Sequence, residues 1–292
     1  MHDATTALRA GNIAGDGEAA RLRPERLRHG WQAASFHGTV GLLGGLALFL
    51  LLAPTAIVVI VSFTSGLSLR FPPQGYSLRW YAALLDADQL QFAFWNSLEV
   101  AVAVTVLSVV LGTAAALAIG RARNPLARAL DSIFMSPLIL PGLAFGLASL
   151  IFYAALGLPV SPLTLVLGHT VVCVPYVIRT TTAALAQLDG ALIDSSASLG
   201  APAFTTFRRV VLPLIRPGIL SGAFICFMAS FDNIPISLFL RDAATDMLPI
   251  RMWQDLEGNL DVTIAAASSV LILMTVLLAV LMERIAGLSK RL

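Results

Sequence analysis

Apolar residues in this 292-residue chain come in long unbroken runs, not in alternation. A helix that crosses a bilayer needs about 20 mainly apolar residues. Six stretches meet that length: 39–63, 96–120, 132–156, 163–185, 216–240 and 262–284. Each is bounded by charges, prolines or both. Strands of a membrane barrel would alternate polar and apolar over about 10 residues, and LLGGLALFLLLAPTAIVVIVSF does not. The pattern predicts an all-α polytopic membrane protein. Six transmembrane helices form one membrane domain over 36–292, and there is no internal repeat.

Residues 188–213 stand apart, lying between the fourth and fifth runs without crossing anything. Leu188, Leu192 and Leu199 fall at helical spacing, with Ser195 and Ser196 filling the same face. Gly200 comes where a helix would end and suits a left-handed cap. Pro202 suits the first turn of a second helix. Phe204, Phe207 and Val211 form its apolar stripe, and Pro213 and Pro217 are expected to close it. The prediction is a short helix, a glycine corner and another short helix at the membrane surface. Two roles fit such a shape: an amphipathic hairpin resting on headgroups, or a surface that another protein docks against. The run SSAS favours docking, because small side chains permit close approach and add little lipid binding.

Composition strengthens the membrane reading. Hydrophobic residues make up 57% of the chain, charged residues 12%, and the mean hydropathy is +0.83. A soluble domain carries about 25% charged residues. Net charge is only +2, which points away from nucleic acid. Cys173 and Cys226 both fall within apolar runs and read as small buried hydrophobes, with no metal spacing. Charge placement sets the orientation. With the N-terminus in the cytoplasm, fifteen of the nineteen cations lie on that side, from Arg9 to Arg28, Arg121 to Arg128, Arg179 to Arg216, and Arg284 to Arg291. Only Arg70, Arg79, Arg241 and Arg251 lie outside. That asymmetry follows the positive-inside rule, so both termini and the 188–213 loop are expected in the cytoplasm. Residues 1–35 lack apolar periodicity and read as a disordered cytoplasmic tail. The first apolar run is too long for a signal-peptide core and lacks a cleavage pattern, so it reads as a retained anchor.

The loop also resembles the cytoplasmic loop of permeases in binding-protein-dependent ABC importers. That pattern runs Glu-Ala-Ala, three residues, Gly, nine residues, Ile, one residue, Leu-Pro. Here the same spacing is held by Asp194, Ser195, Ser196, Gly200, Val210, Leu212 and Pro213. The departures are Asp for Glu, two Ser for two Ala, and Val for Ile. FPPQGYSLRWYAALL, NSLEVAVAVTVLSVVLGTAAALAIGR and SFDNIPISLFL are similar to the spermidine/putrescine branch of such permeases. The resemblance covers residues 40 to 290. It implies a type I importer subunit in the inner (plasma) membrane, non-catalytic, with the loop docking as a coupling helix on a separate ATPase. Leu192, Leu199 and Phe204 would anchor the docking, Gly200 would set the corner, and Asp194 would make a polar contact. It further implies two copies of the ATPase subunit, a second permease subunit, an extracytoplasmic substrate-binding protein, and a polyamine or related small solute as cargo. The residues explain why a partner is needed. A phosphate-binding loop of the form G-x-x-x-x-G-K-[ST] requires a lysine, and the only lysine here is Lys290. No cofactor or metal is called for.

Charges inside a membrane are costly and tend to mark pathways. Asp232 lies well inside the fifth run, with Asn233 beside it and Pro235 loosening the helix. Either it faces a cavity and attracts a cation, or it is paired to Arg or backbone near the outer mouth. Glu99 is the other pathway candidate, although a position a few residues into the second run favours snorkelling to the interface. His169 has no metal-ligand neighbour at suitable spacing and reads as a hydrogen-bonded interior histidine. Pro137, Pro141 and Pro175 predict kinks. The pairs Gly41/Gly45, Gly142/Gly146 and Gly218/Gly222 suit helix contacts within the subunit or between subunits. RDAATDMLPIRMWQDLEGNLD reads as an outer loop that contacts a binding protein or stays solvated. An ion-coupled secondary transporter is the alternative function, but it would call for inverted repeats with broken helices in both halves. An intramembrane enzyme has no H-E-x-x-H, no G-x-S-x-G and no acid pair to build on.

Overall fold

The computed structural model describes residues 37–120, 124–242, 245–259 and 261–286. The expected tail at 1–35 and the cations Arg121, Arg123, Lys290 and Arg291 lie outside them. The described residues are helical, with no strand and a single isolated bridge between Thr64 and Tyr76. The chain divides into two compact units, residues 1–58 and 59–292. An apolar helix, α1, covers His37–Ser62. The second unit holds every element from α2 (Arg79–Ala83) onward.

Three long helices carry the core of that unit: α3 (Asp88–Ile119), α6 (Pro162–Ala186) and α9 (Leu212–Phe231). They bury Val100 and Val104 from α3, Cys173 and Val177 from α6, and Cys226 from α9 in one cluster. Small residues bring the backbones together. A Cβ at Gly112 would lie 2.7 Å from Val177, and one at Gly222 would lie 2.9 Å from the Val177 Cα. A Cβ at Gly218 would meet Ala184 and the Thr180 carbonyl at 2.6 Å. The Gly218/Gly222 pair is therefore an internal contact of α9 with α6. Gly142/Gly146 is internal too, since a Cβ at Gly146 would stand 2.7 Å from the carbonyl of Pro235. Without hydrophobic drive between helices in lipid, such close approach is what holds a bundle.

Two runs read as single spans, with kinks expected at their prolines, are broken outright. The run 132–156 divides into α4 (Pro125–Met135), a single tight turn at Ser136–Leu138, and α5 (Gly142–Ala155), bent by 103°. Among the described residues five helices are long and apolar enough to cross a bilayer, or six if this bent pair counts as one span. The cause is proline chemistry. Pro141 lacks the amide proton a continuing helix uses, and it pushes Leu140 away from helical torsions. It then stands as the N-cap of α5. By contrast, α6 runs through Pro175 without interruption.

The run 216–240 is interrupted as well. α9 ends at Phe231, and α10 (Ile234–Leu240) starts afresh after Asp232 and Asn233. Asn233 caps α10 by accepting the Ile236 amide proton at 2.9 Å, with Pro235 in the first turn. At its other end the helix is longer than expected. α8 (Ala203–Thr206) passes through one wide π-type turn at Phe207–Val211 into α9, so the helix is continuous over Ala203–Phe231. Pro213 and Pro217 do not close the second short helix. The wide turn sits just before Pro213, whose ring would clash with the carbonyl four residues back in a regular helix.

The segment 241–261 is not a free outer loop. Arg241 donates to Asp246 at 2.6 Å, and the Leu248 amide donates to the buried Ser97 hydroxyl at 2.8 Å. Met247, Leu248 and Ile250 are buried around the start of α11 (Leu248–Asn259). The last element, α12 (Thr263–Ala286), closes the bundle against α9.

Candidate functional site

The α6–α9 connection is a two-piece foot. Asp189 opens α7 (Gly190–Ser198) by accepting the Ala191 amide proton at 2.9 Å, a standard helix cap. Leu199 ends α7, and Gly200 turns the chain at φ +76°. The Gly200 amide bonds to the Ala197 carbonyl at 2.9 Å and the Ala201 amide to the Ser196 carbonyl at 3.1 Å. This pair of bonds is the Schellman motif. A Cβ at Gly200 would meet nothing within 4 Å. The glycine is therefore required by its torsion, not by crowding: a left-handed residue with a side chain costs about 1–2 kcal/mol. The Ser196 and Thr206 hydroxyls lie 2.8 Å apart and tie α7 to α8 across the corner.

Inward and outward faces divide differently from the expected stripes. Leu188, Ile193 and Phe207 pack on the core cluster that includes Val211 and Ile215. Leu199 is 88% exposed, Phe204 72% and Leu192 46%. Leu188 thus parts from Leu192 and Leu199, and Phe204 parts from Phe207 and Val211. Phe204 belongs to α8, whereas Phe207 and Val211 lie in the wide turn that follows it, which shifts the helical register so that they meet the core. Asp194 and Ser195 are exposed, Ser196 is half-buried, Val210 and Leu212 are partly covered, and Pro213 is exposed. Ile193 and Thr206 are the structural residues that the stripe reading missed. Ile193 follows Leu192 directly, one step off the Leu188/Leu192/Leu199 stripe, so that stripe does not mark it. The result is three large apolar side chains standing in the open around a fixed corner. Covering a Leu or Phe is worth about 1.5–3 kcal/mol, so this surface is suited to docking.

The second candidate region is the break that ends α9. Asp232 lines a cleft of about 350 Å³ with Phe231, Met252, Trp253 and Ser268. Trp253 is 55% exposed. Among the described residues no Arg or Lys pairs with Asp232, and Arg241 is engaged by Asp246. Of the two readings for Asp232, pairing to arginine is not what the side chains do. Asn233 is used by the backbone: its carbonyl caps α10 and its amide nitrogen donates to the Ala229 carbonyl at 3.4 Å. Glu99 is exposed on α3 and is not among the residues that line this cleft. The two regions are joined by one helix. Its 29 residues, Ala203–Phe231, span about 43 Å at the α-helical rise.

Comparison with known proteins follows this geometry. Residues 108–291 match the family described as binding-protein-dependent transport system inner membrane component. The spermidine/putrescine transport system permease protein PotC of Escherichia coli (strain K12) is 25% identical over 80% of this chain and 88% of that protein. The putrescine transport system permease protein PotI of the same strain is 30% identical over 78% of this chain and 83% of that one. Among solved structures, a bacterial ABC transporter involved in the import of the acidic polysaccharide alginate has a TM-score of 0.62 at 15% identity. That match covers 86% of this chain and 95% of the solved chain.

Proposed function

The chain belongs to the binding-protein-dependent transport system inner membrane components, a permease subunit of an ABC importer, and from that premise we propose how it is driven and what it carries. The α7–α8 foot docks on the ATPase subunits of the transporter. Leu192, Leu199 and Phe204 enter the partner's cleft, Gly200 fixes their angle, and Asp194 and Ser195 meet its polar rim. ATP-driven closure of two ATPase copies moves the foot. The unbroken helix from Ala203 to Phe231 carries that displacement to the break at Asp232. A second permease subunit completes the pathway, and an extracytoplasmic binding protein delivers the solute. The foot and both termini face the cytoplasm, in keeping with the arginine asymmetry.

The cargo is a polyamine. PotC and PotI support the class, and the chemistry of the cleft supports it independently. A carboxylate with no ionic partner among the described residues, in a cleft that the half-exposed Trp253 also lines, suits an ammonium group by charge and by an aromatic neighbour. The observation that carries the coupling role is the trio of exposed apolar side chains around a left-handed glycine at the root of α9. The test is uptake of radiolabelled putrescine and spermidine by vesicles holding the assembled complex. Uptake is expected to need ATP and the binding protein. Accumulation in nucleotide-depleted vesicles would overturn the reading in favour of an ion-coupled transporter.

A further inference from the structure

His169 is the one titratable side chain of α6 with no exposed surface, and no step above uses it. Its Nδ1 lies 2.9 Å from the Ser230 hydroxyl and its Nε2 lies 3.0 Å from the Ser237 hydroxyl. Ser230 belongs to the last turn of α9 and Ser237 to α10, so one imidazole bonds to both sides of the break at Asp232 and Asn233. Both serines are also wholly buried. We propose that His169 is a positioning residue, a pin that holds α9 and α10 in their broken geometry.

The chemistry fits a pin. An imidazole offers one donor nitrogen and one acceptor nitrogen, and a serine hydroxyl can take either role, so each bond finds its complement. The geometry favours the broken form over a straight one. In a continuous helix, seven residues separate Ser230 from Ser237 by about 10.5 Å along the axis. Two bonds of 2.9 and 3.0 Å to a single ring favour a shorter separation. α10 is also held from other directions: the Pro235 carbonyl sits against Gly146, and Ile236 and Leu240 sit against Gly168. The pin is a second polar link between this fixed piece and the end of α9, beside Asn233, which bonds locally to Ile236 and Ala229; only His169 reaches both pieces from another helix. A metal role has no support, since no group of three His, Cys, Asp or Glu suited to a metal occurs among the described residues.

The proposal needs neither the substrate nor the ATPase assignment, and its test uses neither. Nitroxide labels at Ile225→Cys on α9 and Leu238→Cys on α10 report the separation across the break by pulsed electron resonance in the assembled, membrane-embedded complex. Both label sites are exposed, while the native Cys173 and Cys226 are buried. His169 is expected to give one narrow distance. His169→Leu leaves two buried hydroxyls unpaired and raises the population of a second distance about tenfold. His169→Gln, which keeps a donor and an acceptor, restores most of the narrow distance. Should His169→Leu fail to accumulate, Ser230→Ala and Ser237→Ala each cut one bond with little change of volume, and each is expected to broaden the distribution. An unchanged distribution in His169→Leu, or in both serine variants, overturns the pin.

Discussion

The continuous helix Ala203–Phe231 has a corner at each end, and the two corners are built in opposite ways. At Gly200 the turn is made by the backbone, with a left-handed torsion and two main-chain bonds. The side chains around it, Leu199 and Phe204 above all, are left in the open. At Asp232 and Asn233 the turn is held by side chains: an asparagine cap on one side and His169 reaching both pieces from α6. The first corner is turned by its own backbone, with one hydroxyl tie from Ser196 to Thr206, and leaves its largest apolar groups in the open. The second keeps its shape through neighbours, and its Asp232 has no ionic partner among the described residues. On the coupling proposed above, the first corner would be the driven end of a lever and the second its held pivot.

Substitutions at the first corner carry the largest expected effects. Gly200→Val places a β-branched side chain at φ +76° and is expected to lower uptake by about a hundredfold, while the protein still reaches the membrane. Because nothing stands within 4 Å of the added Cβ, Gly200→Asn, which tolerates the left-handed torsion, should keep most of the uptake. Equal loss in both variants would mean that space, not torsion, governs the corner. Next is the double variant Leu199→Ala, Phe204→Ala. It removes two exposed apolar groups from the docking face and should weaken ATPase co-purification by about thirtyfold. Membrane levels should not change, because neither side chain packs on the core.

At the second corner Asp232→Asn keeps shape and removes charge. For a cationic solute the KM of uptake is expected to rise about tenfold with little change in maximal rate. Unchanged kinetics would take Asp232 out of the pathway. The smallest effect is expected from Ser196→Ala, which cuts the hydroxyl tie to Thr206. Losing such a bond costs about 0.5–1.5 kcal/mol, seen as a few-fold drop in uptake.

Much of the fold was legible from runs of apolar residues, because a bilayer imposes length as a physical requirement. The fourth span shows this well: 163–185 was expected and Pro162–Ala186 is found, with Ser161 and Thr164 forming a capping box at its start. The broken spans were not legible to the same degree. Prolines at 137, 141 and 235 announced a disturbance, but Pro175 and Pro217 sit inside helices that continue. Whether a proline breaks a helix depends on what satisfies the freed carbonyls, and the sequence does not display that. Gly200 was legible because few residue types suit its torsion, glycine above all. The parting of Phe204 from Phe207 and Val211 was not legible in the apolar stripe, and only the resemblance set Phe204 apart; Ile193 and Phe207 pack on the core in its place. His169 read as an interior histidine. Its two serine partners, sixty-one and sixty-eight residues away, are found only by folding.

The most direct test of the account is a crosslink from the exposed outer face of α7. Ala197→Cys in the assembled transporter, treated with a short thiol crosslinker against cysteines placed in the ATPase, is expected to capture that subunit. The yield should change on adding ATP, and the captured complex should lose uptake. If Ala197→Cys never captures the ATPase while the same complex takes up solute at the normal ATP-dependent rate, the foot is not where the motor engages.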